Sequence, residues 1–83
     1  MKRSTDEIRY FILKSLIEGR CNLEAIRAKL ETGLQTVSKN AESLEAMRFI
    51  KIYETKFGKR KYRELEITSD GKMFFERIKK LFE

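Results

Sequence analysis

Five cations fall within eight residues, Lys56, Lys59, Arg60, Lys61 and Arg63 in the run KFGKRKYR, and no acid interrupts them. The whole chain carries a net charge of +6, so this one segment holds almost all of the surplus. Lys and Arg at such density suit a polyanion: each head group can take a phosphate oxygen, and neutralised phosphates release their condensed counterions. The plainer alternative is a charged loop that keeps a strand edge from pairing with other chains. Five cations without one acid exceed what edge protection needs, and anion binding is the better account. Lys2 and Arg3 offer a further, weaker phosphate contact.

A second set lies upstream, in Gln35, Thr36, Ser38, Lys39 and Ser43. On one helix these types could read a base edge: Gln pairs with adenine, Lys reaches guanine or phosphate, and the hydroxyls take phosphate or base. The plain reading is the solvated face of an amphipathic helix. Glu42 favours it mildly, since a carboxylate facing a nucleic acid is repelled unless a cytosine amino group donates to it. Other chemistry lacks its residues. With no His, one Cys (Cys21) and two Asp (Asp6, Asp70), neither a nucleophile–base pair nor a metal-ligand set can be assembled. We expect no enzyme, no metal, no cofactor and no evident small-molecule ligand. Cys21, beside Arg20, reads as an inert loop residue rather than a redox sensor. Tyr10, Tyr53 and Tyr62 read as partly buried packing residues.

The elements that position these side chains follow from periodicity. Ser4 and Glu7 have capping-box spacing, and Ile8, Phe11, Ile12 and Leu16 recur at helical intervals, with Leu13 and Ile17 widening the face and Gly19 closing the helix. Asn22 caps a short second helix whose inner side is Leu23, Ile26 and Leu30. Glu31-Thr32-Gly33 is the turn, with Thr32 as cap of the third helix. In that helix Leu34, Val37, Ala41 and Leu44 share one face with Met47 at its margin, opposite Gln35, Lys39, Glu42 and Ala46. The period then changes to two: Ile50 and Ile52 alternate with Lys51 and Tyr53, and Leu65 and Ile67 with Glu64, Glu66 and Thr68. The cationic run joins these strands through a connection expected to be open and mobile around Phe57-Gly58-Lys59. Thr68 or Ser69 caps a last helix running close to Glu83.

Eighty-three residues, 41% of them hydrophobic with six Phe, bound one domain with a small core. The start, MKRSTDE, lacks a signal-peptide apolar region and no run is long enough to span a bilayer, so a soluble cytoplasmic protein is expected. Zero Pro, zero Trp and many Lys, Glu and Arg match the bias of heat-adapted proteins.

The segment IRAKLETGLQTVSKNAESLEAMRFIKIYE, with YRELEITSDGKMFFERI after it, resembles the winged helix-turn-helix transcription regulators. The short second helix, the turn, the phrase from Leu44 to Ile50 and the Ile-Thr-x-x-Gly phrase from Ile67 to Gly71 follow that family's order over nearly the whole chain. The short length and last helix are most similar to the small members from archaea and their viruses. Many relatives carry Gly where this chain has Arg48; the third helix then ends without a glycine cap or runs slightly longer. The resemblance implies an α+β winged-helix fold in the order α-α-α-β-β-α, one domain over residues 1–83, with the third helix in a major groove and the hairpin as the wing on the backbone.

It also implies a homodimer on double-stranded DNA; with no effector pocket evident in the sequence, repression by site occupancy is the simplest mechanism. The last helix suits a partner: Phe74, Ile78 and Leu81 lie at core spacing, while Phe75 and Phe82 mark an adjoining stripe. One small domain cannot easily bury both, so dimerisation through this helix, with Tyr10 or Ile17 of the first, is expected. Two other functions remain open. Nucleoid-type architectural binding fits the bland third helix, and a protein-interaction module would make the Phe-rich helix the working face.

Overall fold

Ser4 starts the first helix as its spacing with Glu7 predicts, its Oγ accepting the Glu7 backbone N–H at 3.1 Å. The computed structural model describes residues 4–83; Lys2, Arg3 and the side chain of Leu34 lie outside the described residues. In chain order the elements are α1 (Thr5–Ile17), β1 (Cys21–Asn22), α2 (Leu23–Leu30), α3 (Leu34–Ala46), β2 (Ile50–Phe57), β3 (Arg60–Ile67) and α4 (Ser69–Phe82). This is the expected winged-helix order with one added element, the two-residue β1. It pairs antiparallel with β3, giving a three-stranded sheet in the order β1-β3-β2. Two residues carry no readable period, which is why β1 is invisible in the sequence.

The core collects one face of each element. Ile12, Leu13 and Leu16 of α1 meet Leu23, Ile26 and Leu30 of α2, Val37, Ala41 and Leu44 of α3, Ile50 and Leu65 of the sheet, and Phe75 of α4. Asn22 caps α2 through the Ala25 N–H at 2.7 Å, as expected. Thr32 does not cap α3. Gly33 occupies that position and supplies no side-chain acceptor.

The end of α3 resolves the boundary at Arg48. Phe49 N–H donates to Leu44 C=O and Arg48 N–H to Glu45 C=O, both at 2.9 Å. That is a Schellman closure, which needs a left-handed residue, and Arg48 takes it with φ of 64°. A non-glycine residue adopts this conformation at a steric cost. The next turn fixes α4. Thr68 N–H donates to Phe49 C=O at 3.0 Å, and Thr68 Oγ1 caps α4 by accepting the Gly71 N–H, also at 3.0 Å. Gly71 is buried so tightly here that a Cβ would stand 2.8 Å from Ile67 Cγ1 and collide with the Phe49 carbonyl. The Ile-Thr-x-x-Gly phrase is thus a helix cap docked on the α3–β2 corner.

The hairpin differs from expectation. Its strands run through the cationic segment, pairing Lys56 with Lys61 and Phe57 with Arg60, so only Gly58 and Lys59 form the turn. Gly58 has φ of 64° at the first central position, the position a type II′ hairpin turn reserves for glycine. Backbone ladder bonds carry the pairing where side chains favour no strand, and the open loop becomes a projecting two-stranded ribbon.

Both stripes of α4 contribute to the core: Phe75 is buried, and Phe74 and Ile78 pack against it half-buried. Gly71 and Phe75 face inward with Phe82 near the same side, whereas Leu81, expected in the core, is 77% exposed. Phe74 packs on Phe49, ring centroids 4.4 Å apart and nearly parallel. Among the described residues no helix is long and apolar enough to cross a membrane.

Candidate nucleic-acid interface

Helix α3 is held by its inner face and presents the other. Val37, Ala41 and Leu44 are buried, while Gln35, Thr36, Lys39, Glu42 and Ala46 are exposed and Ser38 and Ser43 half-buried. Helical spacing puts Gln35, Lys39, Glu42 and Ala46 on the outward ridge, Thr36 and Ser43 on one flank, and Ser38 and Glu45 on the other. The second flank meets the sheet: Glu45 Oε2 accepts the Ile52 N–H at 2.9 Å and fixes the start of β2. Asn40 is buried and satisfies itself by donating to Thr36 C=O at 2.9 Å. The start of α3 carries no acid and no side-chain cap. Its first N–H groups and the positive end of its dipole are therefore open to an anion.

The hairpin register sorts the five cations. Side chains alternate across a strand, so Ile52, Glu54 and Lys56 share a face with Lys61, Arg63 and Leu65. That face adjoins α3, because Arg63 Nη1 donates to Ser38 Oγ at 3.2 Å. Arg63 is not a free cation. Its guanidinium lies 3.5 Å from Glu42 of α3 and 3.7 Å from Glu54 of β2, so it ties the wing to the helix beside it. Lys56 and Lys61 stand directly opposite each other on the same face, further out, with no acid paired to either among the described residues. Like charges in that position repel, and an anion between them removes the repulsion. Arg60 falls on the other face and Lys59 in the turn. An open cleft links these parts, bounded by Asn22 of β1, Leu23 and Glu24 of α2, Gln35 and Ser38 of α3, and Glu54, Lys61 and Arg63 of the wing.

The opposite face of the sheet is neutralised at its base. Arg20 Nε contacts Glu66 at 2.7 Å and Nη1 contacts Glu64 at 3.9 Å, while the guanidinium lies 4.6 Å above the Tyr53 ring. The hydrogen bond from Arg20 chiefly holds the Glu66 carboxyl below its ordinary range, and the same bond raises Arg20. Arg60, further out on this face, and Lys59 in the turn have no ion pair among the described residues.

Tyr10 is only 2% exposed, stacked between Phe75 and Phe82, and its hydroxyl donates to Glu83 Oε2 at 2.6 Å. That bond, with burial and the carboxylate's charge, leaves its phenol pushed up to about 12. Tyr10 and Phe75 are enclosed within one subunit and have no surface to give a partner. Phe82 is half-covered by Tyr10. Ile78 is half-buried, so Met73, at 61% exposure, and Leu81 are the open apolar residues of α4. Cys21 lies in β1, its Sγ 3.5 Å from Ser15 C=O. Sequence reasoning missed Glu45 and Glu54, which find their partners Ile52 and Arg63 only once α3 and the ribbon pack together.

The whole arrangement has counterparts among known structures. One from Streptococcus mutans UA159 (smu.1704) superposes with a TM-score of 0.85 at 17% identity, over 95% of this chain and 78% of its own. A PadR family transcription regulator from Clostridium difficile R20291 gives 0.78 at 20% identity, over 90% of this chain and 85% of its own. A transcriptional regulator homologue from Pyrococcus horikoshii OT3 gives 0.74 at 21% identity, over 84% and 70%. At these identities the likeness is one of fold. No curated protein sequence matches the chain. The model of the winged helix DNA-binding domain family matches residues 8–83, from within α1 to the end of α4, and the chain belongs to that family.

Proposed function

We propose that this protein is a sequence-specific regulator of transcription that binds double-stranded DNA, with α3 in the major groove and the wing on the flanking backbone. The observation that carries it is the unneutralised pair Lys56–Lys61 on the ribbon face adjoining α3, fixed there by the Arg63 contacts. In this reading Gln35 and Lys39 supply base contacts, with Thr36, Ser38 and Ser43 as shorter contacts to base or phosphate. Lys56, Lys59, Arg60 and Lys61 supply phosphate contacts, and Arg63 sets the angle between wing and helix. A second copy covers the edge of α4 that Met73 and Leu81 leave open beside half-buried Phe74 and Ile78, giving a two-fold arrangement on a roughly symmetric site and repression by occupancy.

The roles separate in a selection experiment. Gln35→Ala and Lys39→Ala should relax the base preference of duplexes selected from a random pool. Lys59→Ala and Arg60→Ala should weaken all duplexes alike. Wild-type protein that selects no sequence, yet binds tightly, would replace this reading with the architectural one. Sedimentation of the free protein tests the dimer, and Leu81→Glu should return it to a monomer.

A further inference from the structure

Phe57 is the most exposed large apolar side chain among the described residues, 80% accessible, and belongs to no apolar cluster. A bare aromatic ring at the tip of a ribbon is costly in water and an aggregation hazard. It sits opposite Arg60 on the ribbon face turned away from α3, at the very tip, next to the turn residues Gly58 and Lys59. The wing is tied to α3 at Arg63, whose cross-strand partner is Glu54. Phe57 lies three positions beyond Glu54, which at about 3.3 Å per residue carries the ring roughly 10 Å past that tie. With α3 in a major groove, this reach crosses one phosphate strand and brings the tip to the neighbouring minor groove. Cations beside the ring suit the strongly negative floor of that groove, and an apolar ring is what opens a base step there.

Resting on the reading of α3 and the wing above, we infer that Phe57 is an intercalating wedge. It inserts between base pairs of the minor groove flanking the site and kinks the duplex, with Arg60 and Lys59 holding the adjacent phosphates. The wedge adds a preference the third helix cannot read: flexible pyrimidine–purine steps, which unstack most easily, at the flank rather than the centre of the site. The partner is duplex DNA rather than protein because every charge next to the ring is positive.

The test uses the full chain and a pool-selected duplex carrying 2-aminopurine at successive flanking positions and a donor–acceptor dye pair at its ends. Wild-type protein should raise the 2-aminopurine emission at one flanking step and shorten the end-to-end distance. Phe57→Ala should abolish both signals and weaken binding by roughly 5- to 160-fold, the range of a lost base–aromatic stack. Phe57→Leu, still an apolar wedge, should keep most of the kink. The exposed position makes all three proteins fold alike, which thermal melts check. Binding by the wild type with no emission change at any flanking step, or a kink that survives Phe57→Ala, overturns the wedge and leaves the proposed function standing. No binding by the wild type sinks both. A change in sedimentation of free Phe57→Ala with the DNA signals intact would make the tip a contact between copies of the chain instead.

Discussion

Removing the charges of Lys56 and Lys61 should move stability and DNA affinity in opposite directions. Gln at both positions keeps the side-chain stem and deletes only the charge. In the free protein the two ammonium groups stand directly across the ladder with no acid paired to them, so their removal should stabilise the fold by about 0.2–1 kcal/mol at low salt. That gain should fade as salt rises, because an exposed repulsion is screened. On DNA each lysine neutralises about one phosphate, and each lost contact makes the slope of log K against log salt shallower by about 0.9. The double variant should therefore lose about 1.8 from the slope. Over a fourfold rise in salt its disadvantage should then shrink by about 12-fold. Urea melts give the first quantity and anisotropy titrations across a salt series the second. A slope that stays unchanged, or a variant less stable than wild type, would refute the assignment of this pair to phosphate. Either result would make the pair an ordinary feature of a solvated hairpin.

Other substitutions probe the frame behind the site. Gly71→Ala should cost about 2–4 kcal/mol in urea melts despite its gain in helix propensity, because the new methyl displaces α4 from the Phe49 carbonyl and disturbs the Thr68 cap. Loss of less than about 0.5 kcal/mol would mean the corner yields freely. Arg48→Gly should stabilise by about 0.5–1 kcal/mol by relieving the left-handed conformation at the end of α3, without changing affinity for DNA. Tyr10 has a pKa raised from 10.0 to about 12, so its contribution to stability is complete below pH 10 and is lost as pH climbs through 12. Ultraviolet titration should show a phenolate step near pH 12 that disappears in Tyr10→Phe; a step that remains would place the high phenol elsewhere. Glu66 has the opposite sign: its lowered carboxyl stabilises at neutral pH, and that share fades as pH falls through its folded value, a dependence Arg20→Ala should weaken.

The helices were legible because each carries a strong local signal: Ser4, Asn22 and Thr68 cap where their spacing says, and the inner faces repeat at helical intervals. What escaped depends on register or on distant partners. KFGKRKYR has little strand propensity, so its pairing comes from backbone bonds continued outward from Ile50–Ile67 and Ile52–Leu65, which no local pattern announces. Arg63 counts as a free cation in the sequence, yet Glu42 and Glu54 approach it only once α3 and the ribbon are packed together. On α4 a two-stripe pattern of Phe does not say which ring is fully enclosed. That is settled by Gly71, whose missing side chain lets this edge of the helix touch the Phe49 backbone and carries Phe75 inside with it. Arg48 shows a further limit: the closure of α3 forms by backbone hydrogen bonds with a residue that favours it little.

The most direct test of sequence-specific DNA binding by α3 and the wing is a fluorescence-anisotropy titration of a pool-selected duplex and its scrambled counterpart, both across a salt series. Steep loss of affinity with salt for both duplexes, with binding to the selected one at least about 1,000-fold tighter, is the predicted result. Equal affinities with equal slopes would contradict base reading by Gln35 and Lys39, and no binding at low salt would contradict the interface itself.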